Sequence, residues 1–447
     1  MRTLNPGARS QVGSGAPGTD ASAPPTSWLD VRGLWGFMLL TSFLPSDLSW
    51  PEDRTELALT DGSWASRLPL IIMLGWSMWL WLRSPTRVWT PDWTVAPWLA
   101  ALVGWVGLTL LWSPLPDASF KSWLRLVLTL LVATVLAHGY RGRMLDFLSD
   151  GLLVLMLVLV PSIAVALLKP GVGLESVAGI EGSWRGITAQ KNTLSLAAAL
   201  AAASYFVLLL TRPRDTLAKW WMAAVAVVCL LGSRSSTSLA MTALISGIFW
   251  LFYRQHLNSF AWLSRLFLAF VLLVMTYIYL YFMWHSQLPT WNGFVGSVAQ
   301  WFGKGADLSG RADIWPLVWS EIDKHPWLGL GYAAFWRGDG SPSQYIADVL
   351  YWAPTTAHNG YIDLINEVGL VGLLLFVALC VAQLARIASL HKRQRVEAAI
   401  HLALLVPFLL WNFSETSAVN AYMPLQFVIW CSLLMAQTAD QPGASSA

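Results

Sequence analysis

Long apolar runs recur along most of this 447-residue chain, separated by short polar connections. A run of about 20 mostly apolar residues is long enough to cross a bilayer as a helix. Inside lipid the backbone has no partner but itself, so such runs must be helices or a closed barrel. The pattern is that of an all-α polytopic membrane protein. The composition agrees: 56% of residues are hydrophobic and 12% are charged, where a soluble domain carries about 25% charged. About twelve transmembrane helices are expected, centred near Leu39, Trp76, Trp105, Thr129, Val160, Ala202, Val227, Ser246, Leu273, Phe376, Pro407 and Val428. Residues 1–28, rich in Gly, Ala, Pro and Ser, read as a disordered cytoplasmic tail. Residues 29–437 read as the transmembrane domain, with one long loop at about 285–357, and 438–447 as a second tail.

The connections alternate in charge. Arg83 and Arg87, Arg141 and Arg143, Arg212, Arg214 and Lys219, Arg254 and Arg265, and Arg386, Lys392, Arg393 and Arg395 all fall on one side. The positive-inside rule makes that side cytoplasmic, and both termini with it. The first external loop is acidic, with Asp47, Glu52, Asp53, Glu56 and Asp61. The net charge of +3 gives no reason to expect nucleic acid. Cys229, Cys380 and Cys431 sit in apolar runs and read as small buried hydrophobes. Many of the 28 tryptophans are expected in interfacial belts, although aromatic faces also stack on sugars.

Some cations break the pattern. Arg185 and Lys191 fall in an external loop at about 170–192, and Arg234 in the tight turn Gly232-Ser233-Arg234-Ser235-Ser236. Lys304 and Arg311 fall in the long external loop, which His358 closes. An anionic substrate would explain cations on this side; solvated loops, snorkelling side chains or an Arg311–Asp313 ion pair are the bland alternatives. Arg234 has the sharpest physical case, because a charge so near the bilayer core is costly unless partnered. Glu415, in the last external loop, is able to pair with any of these arginines.

Within the long loop, a helix is expected from Ser309 or Gly310 through Ile322, ended by Pro326. Pro316 is a candidate kink. Trp315 and Trp319 suggest that this helix lies on the bilayer surface. Leu328-Gly329-Leu330-Gly331-Tyr332 reads as a turn, and 337–354 as a mobile flap. Thr356 is expected to cap the next helix, with His358 in its first turn. A helix N-terminus disfavours imidazolium and favours a phosphate oxygen, which suits a proton-accepting histidine beside an anionic substrate. An interfacial histidine satisfied by a backbone carbonyl is the competing reading. Asn359, Asp363, Asn366 and Glu367 form a polar row on the same helix, and Gly369 and Gly372 permit close helix approach.

These ordered pieces resemble the Wzy-like O-antigen ligase and polymerase superfamily, most closely its exopolysaccharide polymerase branch. The resemblance rests on Trp184-Arg185-Gly186-Ile187-Thr188-Ala189-Gln190-Lys191-Asn192, Gly232-Ser233-Arg234-Ser235 and Ser309-Gly310-Arg311-Ala312-Asp313-Ile314-Trp315. It continues through Leu328-Gly329-Leu330-Gly331-Tyr332, Ala357-His358-Asn359-Gly360-Tyr361-Ile362-Asp363 and Glu367-Val368-Gly369-Leu370-Val371-Gly372. It implies an inverting, metal-independent glycosyltransferase at the periplasmic face of the inner membrane. The donor it implies is a glycan on undecaprenyl pyrophosphate, the acceptor a second glycan. By local motif the family's essential arginines and histidine match Arg185, Arg311 and His358, and Arg234 matches a further basic position. Lys191, Asn192, Asn359 and Trp184 complete the expected substrate-binding set. Besides the bilayer, a flippase and export or chain-length proteins are the expected partners.

No DxD pair, HExxH or metal-ligand spacing is present, nor a Walker or Rossmann fingerprint. The expectation is therefore no metal and no cofactor, with the substrate's pyrophosphate bond supplying the energy. An O-antigen ligase acting on lipid A core, transfer to protein, and a transporter or flippase for lipid-linked sugars stay open as alternatives. The last would favour internal repeats and polar residues at mid-membrane, and neither is clear here.

Overall fold

A computed structural model describes residues 28–45, 64–83, 94–176, 180–254, 311–338, 340–419 and 424–438, with isolated positions 276 and 283. The expected ninth span near Leu273, the helix start at Ser309 or Gly310, Lys304 and residues 1–27 and 439–447 lie outside the described residues.

The described chain is helical. In order it forms α1 (Trp28–Phe43), α2 (Trp64–Arg83), α3 (Ala96–Leu108) with a 3-10 turn over Thr109–Leu111, α4 (Pro116–Gly139), α5 (Met144–Leu168) and α6 (Pro170–Gly173). Next come α7 (Lys191–Thr211), α8 (Pro213–Leu217), α9 (Trp220–Gly232) and α10 (Ser236–Tyr253). After the long loop begins come α11 (Arg311–Ile322), α12 (Gln344–Leu350), α13 (Gly360–His391), α14 (Arg395–Trp411) and α15 (Pro424–Thr438). No strand occurs among the described residues; one isolated bridge pairs Leu174 with Trp184. Five helices, α4, α5, α7, α10 and α13, are long and apolar enough to cross a membrane. Helices also cover the other expected centres within the described residues, several of them shorter than a full span.

α7 is the central helix. Its run Leu196-Ala197-Ala198-Ala199-Leu200-Ala201 is buried all round, because alanine lets neighbouring backbones approach closely. α5, α9 and α10 pack on it, and α14 packs on α10.

The basic connections gather at one end of the bundle. There Arg212 pairs with Asp146 at 2.7 Å, Met144 donates its N–H to Glu397 at 3.0 Å, and Phe252 meets His391 edge-on. The segment 180–190 is bonded to the 232–235 turn, Trp184 N–H donating to the Gly232 carbonyl; the 412–419 loop is bonded to the start of α13 and to Tyr332, Gly360 N–H donating to the Asn412 carbonyl and Tyr332 Oη to that of Val419.

α13 is broken. Gly369 sits at φ 71°, ψ −179° inside it, and the turn Pro326–Gly331 seals the break. Leu330 and Gly331 donate N–H to the freed carbonyls of Asn366 and Glu367, both at 2.9 Å. In return Leu370 and Val371 donate to the carbonyls of Pro326 and Trp327 at 2.9 and 3.3 Å. Only glycine serves here: a Cβ on Gly369 would lie 2.1 Å from the Trp327 carbonyl oxygen, and one on Gly329 2.5 Å from that of Glu367. The sequence reading of Gly369 as a site of helix–helix approach is thus corrected to a helix–loop joint.

α11 packs on the protein by one face. Ile314, Val318 and Ile322 are buried against Phe335, Ile346, Ile362 and Ile365. That face is covered by protein, while Trp319 on the same helix is 43% exposed. The expected flap contains a short helix, α12, with Ile346 at its core.

Candidate functional site

His358 lies where three segments meet. It is not in the first turn of α13, as Thr356 capping would require. The cap is Asn359, whose side-chain oxygen accepts from Tyr361 and Ile362 N–H at 3.0 and 3.2 Å. His358 precedes it, at φ 51°, a left-handed conformation uncommon for a side chain larger than glycine. The surroundings hold it there. Ala357 N–H donates to both carboxylate oxygens of Asp363 at 3.2 and 3.1 Å, and the Ala357 carbonyl accepts from Trp315 Nε1 at 2.9 Å. His358 N–H itself donates to Thr356 Oγ1 at 3.2 Å. Gly360 N–H is bound by the Asn412 carbonyl at 2.8 Å, which ties this corner to the last loop.

That loop delivers Glu415. Its Oε2 stands 3.5 Å from His358 Nδ1, an electrostatic contact longer than a formed hydrogen bond. Its Oε1 accepts from Asn192 Nδ2 at 3.0 Å. The sequence reading had Glu415 as a partner for an arginine; its contacts include the histidine and the asparagine. Nδ1 of His358 faces this acid, leaving Nε2 as the nitrogen available to a substrate.

Asn192 and Lys191 open α7, and the backbone N–H of Lys191 donates to Glu175 Oε1 at 2.6 Å. Glu175 also holds the loop by accepting from Gly182 N–H and donating to the Ser183 carbonyl. Trp184 lies over Gly232, where a Cβ would come within 2.5 Å of its ring, so the first and second motif segments are in direct contact. Arg234, at φ 51°, is exposed, and its guanidinium reaches the neighbourhood of Gly182.

Arg185 is placed differently from expectation. It is only 2% exposed. Its Nε donates to the Val172 carbonyl at 2.6 Å and its Nη2 to that of Gly171 at 3.3 Å. Two of its donors are thus committed to carbonyls of α6, whose last carbonyls have no partner within the helix. Arg311 is the first residue of α11, the helix whose Trp315 holds the Ala357 carbonyl. The sites therefore fall into a tight set, His358, Glu415 and Asn192; a neighbouring set, Lys191, Trp184 and Arg234; and Arg185, which braces the loop between them.

Residues 221–377 match the O-antigen ligase family, Wzy_C. This stretch carries Arg234, Arg311 and His358. Over this stretch the chain is similar to the O-antigen ligase family. It is also 24% identical over 309 residues to a protein named exopolysaccharide production protein ExoQ from Rhizobium meliloti (strain 1021). The match spans 65% of this chain and 66% of that protein, just under two thirds of its length. The likeness is to a protein named for exopolysaccharide production, and the five long apolar helices make this chain a multi-pass membrane protein. Arg185, Lys191, Asn192 and Glu415 lie outside the matched O-antigen ligase stretch, so the His358–Glu415–Asn192 set joins residues from inside and outside it.

Proposed function

We propose that this chain polymerises undecaprenyl-pyrophosphate-linked oligosaccharide units at the periplasmic face of the bacterial inner membrane. The observation that carries this is the His358–Glu415 contact in a strained, heavily pinned corner at one end of the bundle. His358 Nε2 takes the proton of the acceptor sugar hydroxyl as general base. The oxygen attacks the anomeric carbon from the face opposite the leaving group, with inversion, and the lipid pyrophosphate departs. Glu415 orients the ring and stabilises the imidazolium, in the manner of an acid beside a catalytic histidine. Lys191, Arg234 and Arg311 supply positive charge to the pyrophosphate, aided by the N-terminus of α7. Arg185 serves by holding the loop that presents Lys191 and Asn192.

The test is turnover of a purified lipid-linked oligosaccharide. His358→Ala is expected to insert normally, retain donor binding and form no polymer. Polymer at the wild-type yield from that variant refutes the general-base role. The description of the matched family favours a second reading, a ligase that passes the glycan to a lipid A core. Supplying that core as acceptor separates the two: a polymerase forms a ladder without it, and a ligase needs it.

A further inference from the structure

Asp363 lies one helical turn into α13 and is 4% exposed. Three separate segments converge on its carboxylate. Ala357 N–H, immediately before His358, donates to both oxygens. Thr416 Oγ1, immediately after Glu415, donates to Oδ2. Trp336 Nε1, in the loop before the flap, donates to Oδ1 at 2.8 Å. A buried carboxylate is costly unless its lone pairs are filled, and here each donor comes from a segment that has something else to position. One oxygen pair sets the backbone next to the histidine. Oδ2 alone also anchors the Thr416 hydroxyl, and with it the residue next to the acid. The third donor belongs to neither.

We propose that Asp363 is the positioning residue of the His358–Glu415 pair, and that through Trp336 it transmits the state of the flap to that pair. This rests on reading His358 as the base. Trp336 is followed by Arg337, whose Nη2 donates to Ser122 Oγ at 2.7 Å and whose Nε donates to the Ala333 carbonyl at 2.6 Å. Its ring stands edge-on to Phe335, at 4.7 Å, and Phe335 is buried in the same core as Ile346 of α12. A shift of α12 when an acceptor glycan arrives is therefore carried to Trp336 by packing, and to Asp363 by one hydrogen bond. Losing or tightening that bond changes how firmly Asp363 holds Ala357 and Thr416, and so the His358–Glu415 distance. The charged groups that bear on the pair are Glu415, in contact with the ring, and Asp363; Glu367 in turn interacts electrostatically with Asp363 and Arg337.

The experiment uses the full chain in lipid nanodiscs. Trp336→Phe deletes the indole donor and keeps a ring against Phe335; Thr416→Val deletes the hydroxyl donor and keeps the volume. Asp363→Asn is the third variant, and its failure to fold would leave the first two decisive. Diethyl pyrocarbonate modification of His358, read by mass spectrometry across pH, reports the environment of the imidazole whether or not it is a base. Both donor deletions are expected to move the pH midpoint of modification and to lower turnover by about tenfold, the equivalent of one lost hydrogen bond to a charged group. Donor KM is expected to stay unchanged. An unchanged reactivity profile in both variants overturns the proposal, even if stability falls. His358→Ala separates the two ideas. If that variant turns over normally while Trp336→Phe still alters His358 reactivity, the general-base reading fails and the positioning role of Asp363 stands.

Discussion

Replacing Glu415 by Gln removes one negative charge and little else. The amide oxygen can still accept from Asn192, and the volume is nearly the same. What disappears is the attraction between the carboxylate and the imidazolium that forms as the acceptor loses its proton. At the observed 3.5 Å, two unit charges attract by roughly 4–5 kcal/mol if the effective dielectric is 20. The His358 side chain is 32% exposed and that of Glu415 17%, so solvent screens part of this. About 2 kcal/mol remains as the working figure, within the range of a charged hydrogen bond. Because the imidazolium exists only after proton transfer, the loss falls on the transition state, and kcat is expected to drop about 30-fold. The assay is initial polymer formation at saturating lipid-linked donor, with matched amounts of folded protein. Donor KM is expected to hold. A kcat within about twofold of wild type, under half a kcal/mol, refutes the argument that Glu415 stabilises charge on His358.

Gly369→Ala forces a side chain into φ 71° and against the Trp327 carbonyl; about 3 kcal/mol of stability is expected to be lost, read as a lower thermal midpoint in detergent. Arg185→Lys replaces a two-point brace on Val172 and Gly171 with a single ammonium. It is expected to cost about 2 kcal/mol of stability and to expose 170–190 to protease, with donor affinity in the folded fraction retained. Full stability combined with collapsed donor affinity would return Arg185 to the pyrophosphate itself.

Residue patterns reveal the helical class, the clustering of the basic connections at one end and the motif around His358, because apolar runs and charged connections are local properties of the chain. They also bring Trp184 and Arg234 to neighbouring loops. They do not reveal that Arg185 is buried, because the carbonyls it satisfies belong to a four-residue helix with no pattern of its own. Asn359 displaces Thr356 as the cap because Thr356 Oγ1 is taken by the His358 N–H. Asp363 reads as one member of a polar row; its importance lies in donors 27 and 53 residues away. Glu415 likewise has a partner in α7, 223 residues distant. Such convergence is a product of packing, and no spacing along the chain encodes it.

The interruption at Gly369 bears on how the protein is assembled. An unsatisfied backbone group in hydrocarbon costs several kcal/mol, and the break frees Asn366, Glu367, Leu370 and Val371 together. The turn that answers them, Pro326–Gly331, precedes α13 in the chain by about thirty residues. During synthesis it is therefore made before α13 arrives. The helix then has a template waiting for it, and the loop and the span lock as one cooperative unit. A lesion in either, such as a bulkier residue at Gly329 or a shortened turn, should show itself first as a span that fails to settle.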